Sequence, residues 1–418
     1  AIDAIRSIAG GGPRPLAQSA DVVITRGERS HLHSATGTRL LDAVAGYGVA
    51  SLGHSDPRWV EAVVEQAGRL TTTSLHTVEL GAYLDALASV LPPSLRSVAL
   101  SSTGTEAVEM AMRLAQTVQG RAGILTFGSG FHGKTAAVRY IGNPRSDEAG
   151  MLAPPWLASA PYPACLAHDA VDHAECTESV ADAIAAIVNR SDIDDIGAVL
   201  VEPILGTAGN IPPKRPFLAA LRKLCDDRGW LLIFDESITG FGRTGDLFAL
   251  ETFGAEPDVL ILSKGLGGGF PLSAVCAPPS LWERSALSAP SATSSSYGGN
   301  PLACAAGLVT LEIITEPGFL GQVREVSAGA AQRLRRLAEL SPAVARPRGV
   351  GLMLGFDLVD PTTQALAAPE FCEAVFRDCR DRGLLIAANV PRVRVNPPLT
   401  VTASEMAFLF DVLEDVLT

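Results

Sequence analysis

Asp258-Val-Leu-Ile-Leu-Ser-Lys264-Gly-Leu-Gly-Gly-Gly269 is the stretch on which the reading of this chain turns. An apolar run with the look of a buried strand delivers an amine into a glycine-rich turn. Lys264 is one of only four lysines in 418 residues, against 29 arginines. An ammonium at the end of an apolar strand is partly desolvated, which lowers its pKa and frees its lone pair to attack a carbonyl. The glycines beside it let a flat group approach the backbone. The alternative is a lysine that merely reaches solvent from a strand end, and its neighbours must decide.

Outward from this stretch the chain alternates short apolar runs with longer amphipathic ones. The apolar runs are Ser97-Val-Ala-Leu100, Gly123-Ile-Leu-Thr-Phe127, Gly197-Ala-Val-Leu-Val201, Trp230-Leu-Leu-Ile-Phe234 and Val259-Leu-Ile-Leu262. Helical patterns lie at Glu106 to Val118, Val180 to Asn189 and Pro216 to Arg228. This order predicts an α/β architecture with a largely parallel sheet, whose doubly buried strands are continuously apolar. Residues 143 to 177, rich in Pro, Ala and Gly, are expected to form a surface excursion. A long helical pattern runs from Asn300 through Leu311 and past Arg336, and an amphipathic helix spans Ser404 to Leu417. We divide the chain into residues 1–50, joining a small domain, residues 51–310 as a large domain, and residues 311–418 as the C-terminal small domain.

Length and composition narrow the function. A chain of 418 residues exceeds one ordinary core, and 47% hydrophobic content is ample for a large one. A net charge of −12 argues against nucleic acid, whose phosphates need a basic face. Seven scattered cysteines, an odd number, are no disulfide framework and predict a reducing, cytoplasmic setting. The start Ala1-Ile-Asp-Ala-Ile-Arg6 lacks a charged head followed by an apolar core, and no apolar stretch approaches a membrane span of about 20 residues.

Three further motifs surround the lysine. Ser101-Ser-Thr-Gly104-Thr105-Glu106 follows a strand and opens a helix, whose free N–H groups and dipole suit an anion such as a phosphate. An ordinary helix capped by Thr103 or Thr105 would look the same. Asp235 ends the apolar strand before Glu236, where open α/β sheets carry functional groups. A buried aspartate needs a cation, and either a protonated pyridine nitrogen or Arg243 would serve. Gly130-Phe131-His132-Gly133 follows another strand, and Phe131 is suited to lie on a flat ring or to pack in the core.

Together these motifs resemble the class III aminotransferases of the pyridoxal 5′-phosphate (PLP) fold-type I superfamily. Leu52-Gly-His54-Ser-Asp-Pro57 is similar to the family's early Gly-His-x-x-Pro element, and Gly104-Thr105-Glu106-Ala107 to its phosphate loop. Phe131-His132-Gly133 resembles the ring-stacking element, and Glu202-Pro203 the active-site Glu-Pro. Asp235-Glu236 through Gly240-Phe-Gly-Arg243-Thr-Gly245 resembles the most diagnostic stretch, and Ser263-Lys264-Gly265 the Schiff-base site. The resemblance implies a large domain with a mostly parallel sheet flanked by helices, plus a smaller α+β domain. It implies Lys264, Asp235 and Glu202 as catalytic residues. Cofactor-binding roles fall on Gly104, Thr105, Phe131, His132, Asp235, Ser237, Ile238, Lys264 and Ser296. The segment Ser295-Ser296-Tyr297-Gly-Gly-Asn300-Pro301 resembles the one that crosses a dimer interface to the partner's phosphate, so a homodimer is implied. Arg394-Val-Asn-Pro397-Pro398-Leu399 resembles the element whose arginine grips a substrate carboxylate.

Departures from the family pattern bear on the substrate. Thr207 stands where ornithine-type members carry a glutamate able to swing onto the carboxylate-binding arginine. Ile238 replaces a frequent glutamine, Ser237 a Val or Ala beneath the ring, and Ser296 the usual threonine. Thr207 and Ile238 resemble the ω-amine branch that uses pyruvate. The expected activity is ping-pong transfer of an amino group between an amine or amino acid and a 2-oxo acid or aldehyde. The donor is a small molecule or is borne on a carrier or peptide. The alternatives are a PLP-dependent epimerase, aminomutase or decarboxylase, or a catalytically silent binding protein of the same fold. Cys165, His168, His173 and Cys176 admit a zinc reading, but the spacing fits no common framework and no metal is expected. Gly265-Leu-Gly-Gly-Gly269 lacks the context of a dinucleotide fingerprint.

Overall fold

The computed structural model describes residues 22–141, 154–164, 175–190, 193–388 and 390–418. The N-terminal strands are β1 (Ile24–Glu28), β2 (His31–Ser34) and β3 (Arg39–Asp42). The central strands are β4 (Ser97–Ser101), β5 (Gly123–Phe127), β6 (Leu157–Ala160), β7 (Ile196–Val201), β8 (Leu231–Asp235), β9 (Val259–Leu262) and β10 (Ser273–Ala277). The C-terminal part adds β11 (Val344–Val350), β12 (Met353–Leu358), β13 (Leu384–Leu385) and β14 (Arg392–Val395).

The central sheet runs β4-β10-β9-β8-β7-β5-β6. Its pairs are parallel except those of β10, which is antiparallel to both β9 and β4. Because β10 reverses twice, β4 points the same way as β9. Side chains alternate faces along a strand, and here both faces are apolar. Leu232 and Phe234 of β8 join one core with the helices Val78–Val90, Phe217–Arg228 and Pro301–Ile314. Leu231 and Ile233 join the other with the helix Gly104–Gln119. Double burial is why β5, β7, β8 and β9 read as unbroken apolar runs, and each fully buried large side chain contributes about 1.5–3 kcal/mol. Phe127, Tyr162 and Phe217 close one end of this core edge to face, at 5.3 to 6.0 Å.

A second core gathers Leu41 and Ala43 with Val323, Phe356, Val393 and Phe410. β3 pairs in parallel with β13, which ties the N-terminal strands to the C-terminal ones. The chain crosses between the two cores after Ile314. The expected long helix from Asn300 is in fact two helices, Pro301–Ile314 and Phe319–Leu340, bent by 68°. Pro317 and Gly318, the latter at φ 91°, interrupt the pattern between them. Within the expected surface excursion, residues 157–160 instead form β6, paired to β5. Cys165, His168 and His173 lie outside the described residues, as does the side chain of Cys176. Among the described residues no single helix is long and apolar enough to cross a membrane.

Candidate active site

Five parallel strands deliver their C-terminal ends to one edge of the central sheet, the usual place for a ligand in an open α/β fold. β9 leads to Ser263 and Lys264, β8 ends in Asp235, β7 leads to Glu202, and β5 leads to Phe131 and His132. β4 leads to Thr103 and the helix Gly104–Gln119. In-register pairing of Asp235 with Ile261 sets the acid beside the strand that carries the lysine.

Lys264 adopts φ 44°, a left-handed conformation rare outside glycine and held here by the packed turn Gly265–Gly267. Burial lowers its pKa, as does the charge of Arg394, while Asp235 and Glu202 oppose that shift. The result is an amine more readily deprotonated than a surface lysine.

Asp235 is 3% exposed and engaged on both oxygens. Oδ1 accepts the Ser237 N–H at 3.0 Å, and Oδ2 lies 2.7 Å from His132 Nδ1. Burial alone would raise its pKa, but the His132 hydrogen bond and charge, then Lys264 and Ser237, hold it below the usual carboxylate range. Arg243 is not its partner. That guanidinium is fully buried elsewhere, donates to the Pro397 carbonyl, and is pushed down by burial to about 10.

Glu202 accepts the Phe131 N–H at 2.7 Å and the Gly206 N–H at 3.1 Å, so it pins two loops at the cleft. Burial raises its pKa, opposed by His132 and those two N–H groups. Ile238 packs with Ile204 and Met353, and a Cβ on Gly206 would come within 2.9 Å of it.

At the helix Gly104–Gln119, Thr103 and Glu106 form a capping box. The ordinary cap is therefore present, and it still leaves the first N–H groups of the helix facing the sheet edge. A Cβ on Gly104 would meet Ser263 Oγ at 3.2 Å and Ser237 Oγ at 3.4 Å, so two hydroxyls converge there on a bare backbone. Gly133, at φ 123°, leaves still less room beside Thr105, whose Oγ1 would lie 2.4 Å from an added Cβ. Ser296 is exposed on this chain and Tyr297 is 67% exposed.

Arg394 on β14 closes the cleft from the smaller core. Its Cζ lies 5.3 Å from the Tyr47 ring centroid, and its Nε is buried without a hydrogen-bond partner. Burial lowers its pKa, while Tyr47 and Glu202 favour the charged form. Thr207 is exposed at the mouth of the cleft. Tyr47 was not anticipated from sequence. It sits in a left-handed run with Ala45 and Gly46, held by Asp42 Oδ1, which accepts the N–H groups of Val44 and Ala45 at 2.9 Å. His54 holds the other oxygen of Asp42 at 2.8 Å. The glycine flanks of Ala45-Gly-Tyr47-Gly48 were the available signal.

The set fits PLP by its donor chemistry: a partly desolvated amine, an ionised buried acid for a pyridinium, and a hydroxyl-lined helix start for a phosphate. Comparison with known proteins points the same way. Residues 15–417 match the family described as aminotransferase class-III. A 2-aminoadipate transaminase of Pseudomonas putida is 32% identical, with 95% of each chain covered. A 5-aminovalerate aminotransferase of the same organism is 31% identical over 93% of this chain and 91% of its own. Among solved structures, an (S)-enantioselective omega-transaminase from Thermomicrobium roseum superposes with a TM-score of 0.90 at 28% identity, covering 100% of this chain and 99% of that one.

Proposed function

Because the chain belongs to the class III aminotransferases, and so is a PLP-dependent aminotransferase, we propose specific roles for the residues at its sheet edge. Bound in the cleft, PLP supplies an aldehyde for the amine and a ring able to accept electrons. Lys264 would hold the cofactor covalently through its side-chain amine. The same amine, deprotonated, would remove and return the proton at the substrate's reacting carbon. Asp235 keeps a fixed negative charge toward the ring nitrogen, and His132 holds that carboxylate in place. Glu202 fixes the loops that bear Phe131 and Gly206. Gly104, Thr105 and the Ser237 and Ser263 hydroxyls receive the phosphate. Arg394, with Thr207 rather than an acid on the facing loop, takes a substrate carboxylate.

The carrying observation is the placement of Lys264 and Asp235 at adjacent parallel strand ends, with each shifting the other's pKa toward the charged form. The donor in this reading is an ω-amine and the acceptor a 2-oxo acid or aldehyde. The unit is a homodimer. Val60, Val64, Leu70, Leu75 and Val78 are exposed apolar side chains that a second copy would cover, and Ser296 would reach that copy's phosphate site. We place the enzyme in the cytoplasm, in keeping with the buried free thiols of Cys225, Cys276, Cys304, Cys372 and Cys379.

A half-reaction screen tests this reading. Amines are mixed singly with the PLP-loaded enzyme, and conversion to the pyridoxamine form is followed by absorbance. A donor that converts the cofactor, with restoration by a 2-oxo acid, supports it. Turnover of an amine without any oxo acid and without loss of its amino group would favour an isomerase instead.

A further inference from the structure

The turn that carries Lys264 is bonded within itself: Leu266 N–H donates to the Ser263 carbonyl at 3.0 Å, Gly268 N–H to that of Gly265 at 3.2 Å, and Phe270 N–H to that of Gly267 at 3.0 Å. Two of these carbonyls accept a second hydrogen bond, from side chains 214 and 208 residues away in sequence. Ser51 Oγ donates to the Gly265 carbonyl at 3.3 Å, and Trp59 Nε1 to the Gly267 carbonyl at 3.1 Å. A lysine at φ 44° keeps that conformation only where its surroundings over-determine it. These two donors restrain the turn from outside.

Both donors are themselves anchored. Asp56 caps the helix Pro57–Arg69, its Oδ1 accepting the Arg58 N–H at 3.0 Å and the Trp59 N–H at 3.3 Å, and the Arg58 guanidinium pairs with Glu316. Ser51 is buried, and its carbonyl accepts the Leu399 N–H at 2.8 Å. The indole also lies against bare backbone. Gly268 sits at φ 59°, where an added Cβ would come 2.9 Å from Trp59 Nε1 and 2.4 Å from Thr310 Oγ1. Beside this contact is a cavity of about 170 Å³, lined by His54, Asp56, Trp59, Gly268 and Gly269 among others. Packing therefore leaves space next to the turn, and the indole bond fixes a carbonyl that could otherwise shift.

We propose that Trp59, together with Ser51, is a positioning residue for Lys264, holding its turn in the left-handed form so that the amine stays at the sheet edge that carries Asp235. The inference rests on the reading of Lys264 as the residue that bears the cofactor, and it adds two side chains that act only through the turn. Removing either donor leaves each carbonyl its backbone partner, so restraint is lost without stranding an acceptor. A turn free to relax lets the amine reach water more readily. That favours the protonated amine and weakens the hold on the cofactor.

The test uses the full chain with Trp59→Phe, which keeps an aromatic ring and deletes the N–H, with Ser51→Ala, and with both. PLP affinity is read by fluorescence titration of the apoenzyme, and the pH midpoint of the bound cofactor's absorbance by titration of the loaded protein. We expect Trp59→Phe to weaken PLP binding by roughly 3- to 10-fold, the scale of one neutral hydrogen bond, and to raise the pH midpoint by about half a unit to one unit. Ser51→Ala, which deletes the longer bond, should act in the same direction and by less, and the double variant by more than either. A midpoint unmoved or lowered in Trp59→Phe overturns the inference whatever happens to the Tm of the apoenzyme, because an indole that merely packs would change the Tm alone. Should Trp59→Phe fail to fold, the midpoint of Ser51→Ala decides in the same way. Borohydride reduction of the loaded wild type separates the two readings. An adduct on Lys264 with an unmoved midpoint in the variants overturns this inference alone, and an adduct on another lysine overturns the reading of Lys264 and the inference with it.

Discussion

His132 Nδ1 lies 2.7 Å from Asp235 Oδ2, and both side chains are buried at the end of the central sheet. An ionised carboxylate only accepts, so Nδ1 carries the proton of this contact. The other oxygen takes the Ser237 N–H, so the acid cannot rotate without breaking one bond or the other. Such an acid is set in position before any cofactor arrives.

Asp235→Asn removes that charge with little change of shape. Its kcat should fall about 10²- to 10⁴-fold, the range for a group acting on charge or protons in the transition state. His132→Asn, acting only through Asp235, should cost less, about tenfold. Steady-state rates and far-UV circular dichroism on both variants check this. An Asp235→Asn enzyme within threefold of wild type removes Asp235 from the mechanism.

Gly133→Ala would drive a Cβ to within 2.4 Å of Thr105 Oγ1 at a backbone position with φ 123°. PLP affinity, followed by fluorescence titration of the apoenzyme, should weaken about tenfold or more. The fold should survive, because the strain is confined to one loop. Unchanged affinity would place the phosphate away from Thr105.

Arg394→Met should raise KM for oxo acids by roughly 10- to 100-fold while leaving simple amines without a carboxylate nearly unaffected. Tyr47→Ala, which removes the ring 5.3 Å from the guanidinium, should move the same constant in the same direction by less. An effect spread equally over all substrates would assign Arg394 a purely structural role.

Glu236 gives a pH signature of the fold. Burial pushes its carboxyl up to about 7, against the Ala249 and Leu250 N–H groups and the Thr239 hydroxyl that favour its charge. Folding therefore favours the protonated form. That contribution is full below the ordinary value of 4.5 and is lost as pH rises through about 7. The Tm of Glu236→Gln relative to wild type should accordingly climb between about pH 4.5 and 7. A difference that stays flat across that window contradicts the assignment.

Subunit exchange tests the dimer. A chain with Lys264→Ala and a chain with Ser296→Trp should each be inactive alone. Mixed, refolded or exchanged together, they should recover about a quarter of wild-type activity, because half the dimers hold one site with both residues intact. No recovery would argue that Ser296 serves its own chain.

Much of this was legible in residues whose environment leaves little choice. The runs that became β5, β7, β8 and β9 are buried on both faces, so their composition alone marks them, and Lys264 and Asp235 stand at their ends. β10 escaped because Ser273-Ala-Val-Cys-Ala277 is short and follows a turn, and nothing local announces a strand that reverses the sheet. The bend after Ile314 was hidden by apolar periodicity that continues on both sides of Pro317. The place of Tyr47 beside Arg394 depends on which faces of distant segments meet, and no local pattern encodes that.

The central claim is that Lys264 alone holds the cofactor. Borohydride reduction of the PLP-loaded protein, followed by peptide mass spectrometry, tests it among just four candidates, Lys134, Lys214, Lys223 and Lys264. The account predicts a single phosphopyridoxyl adduct, on the peptide containing Lys264. An adduct on any other lysine, or none, would contradict it.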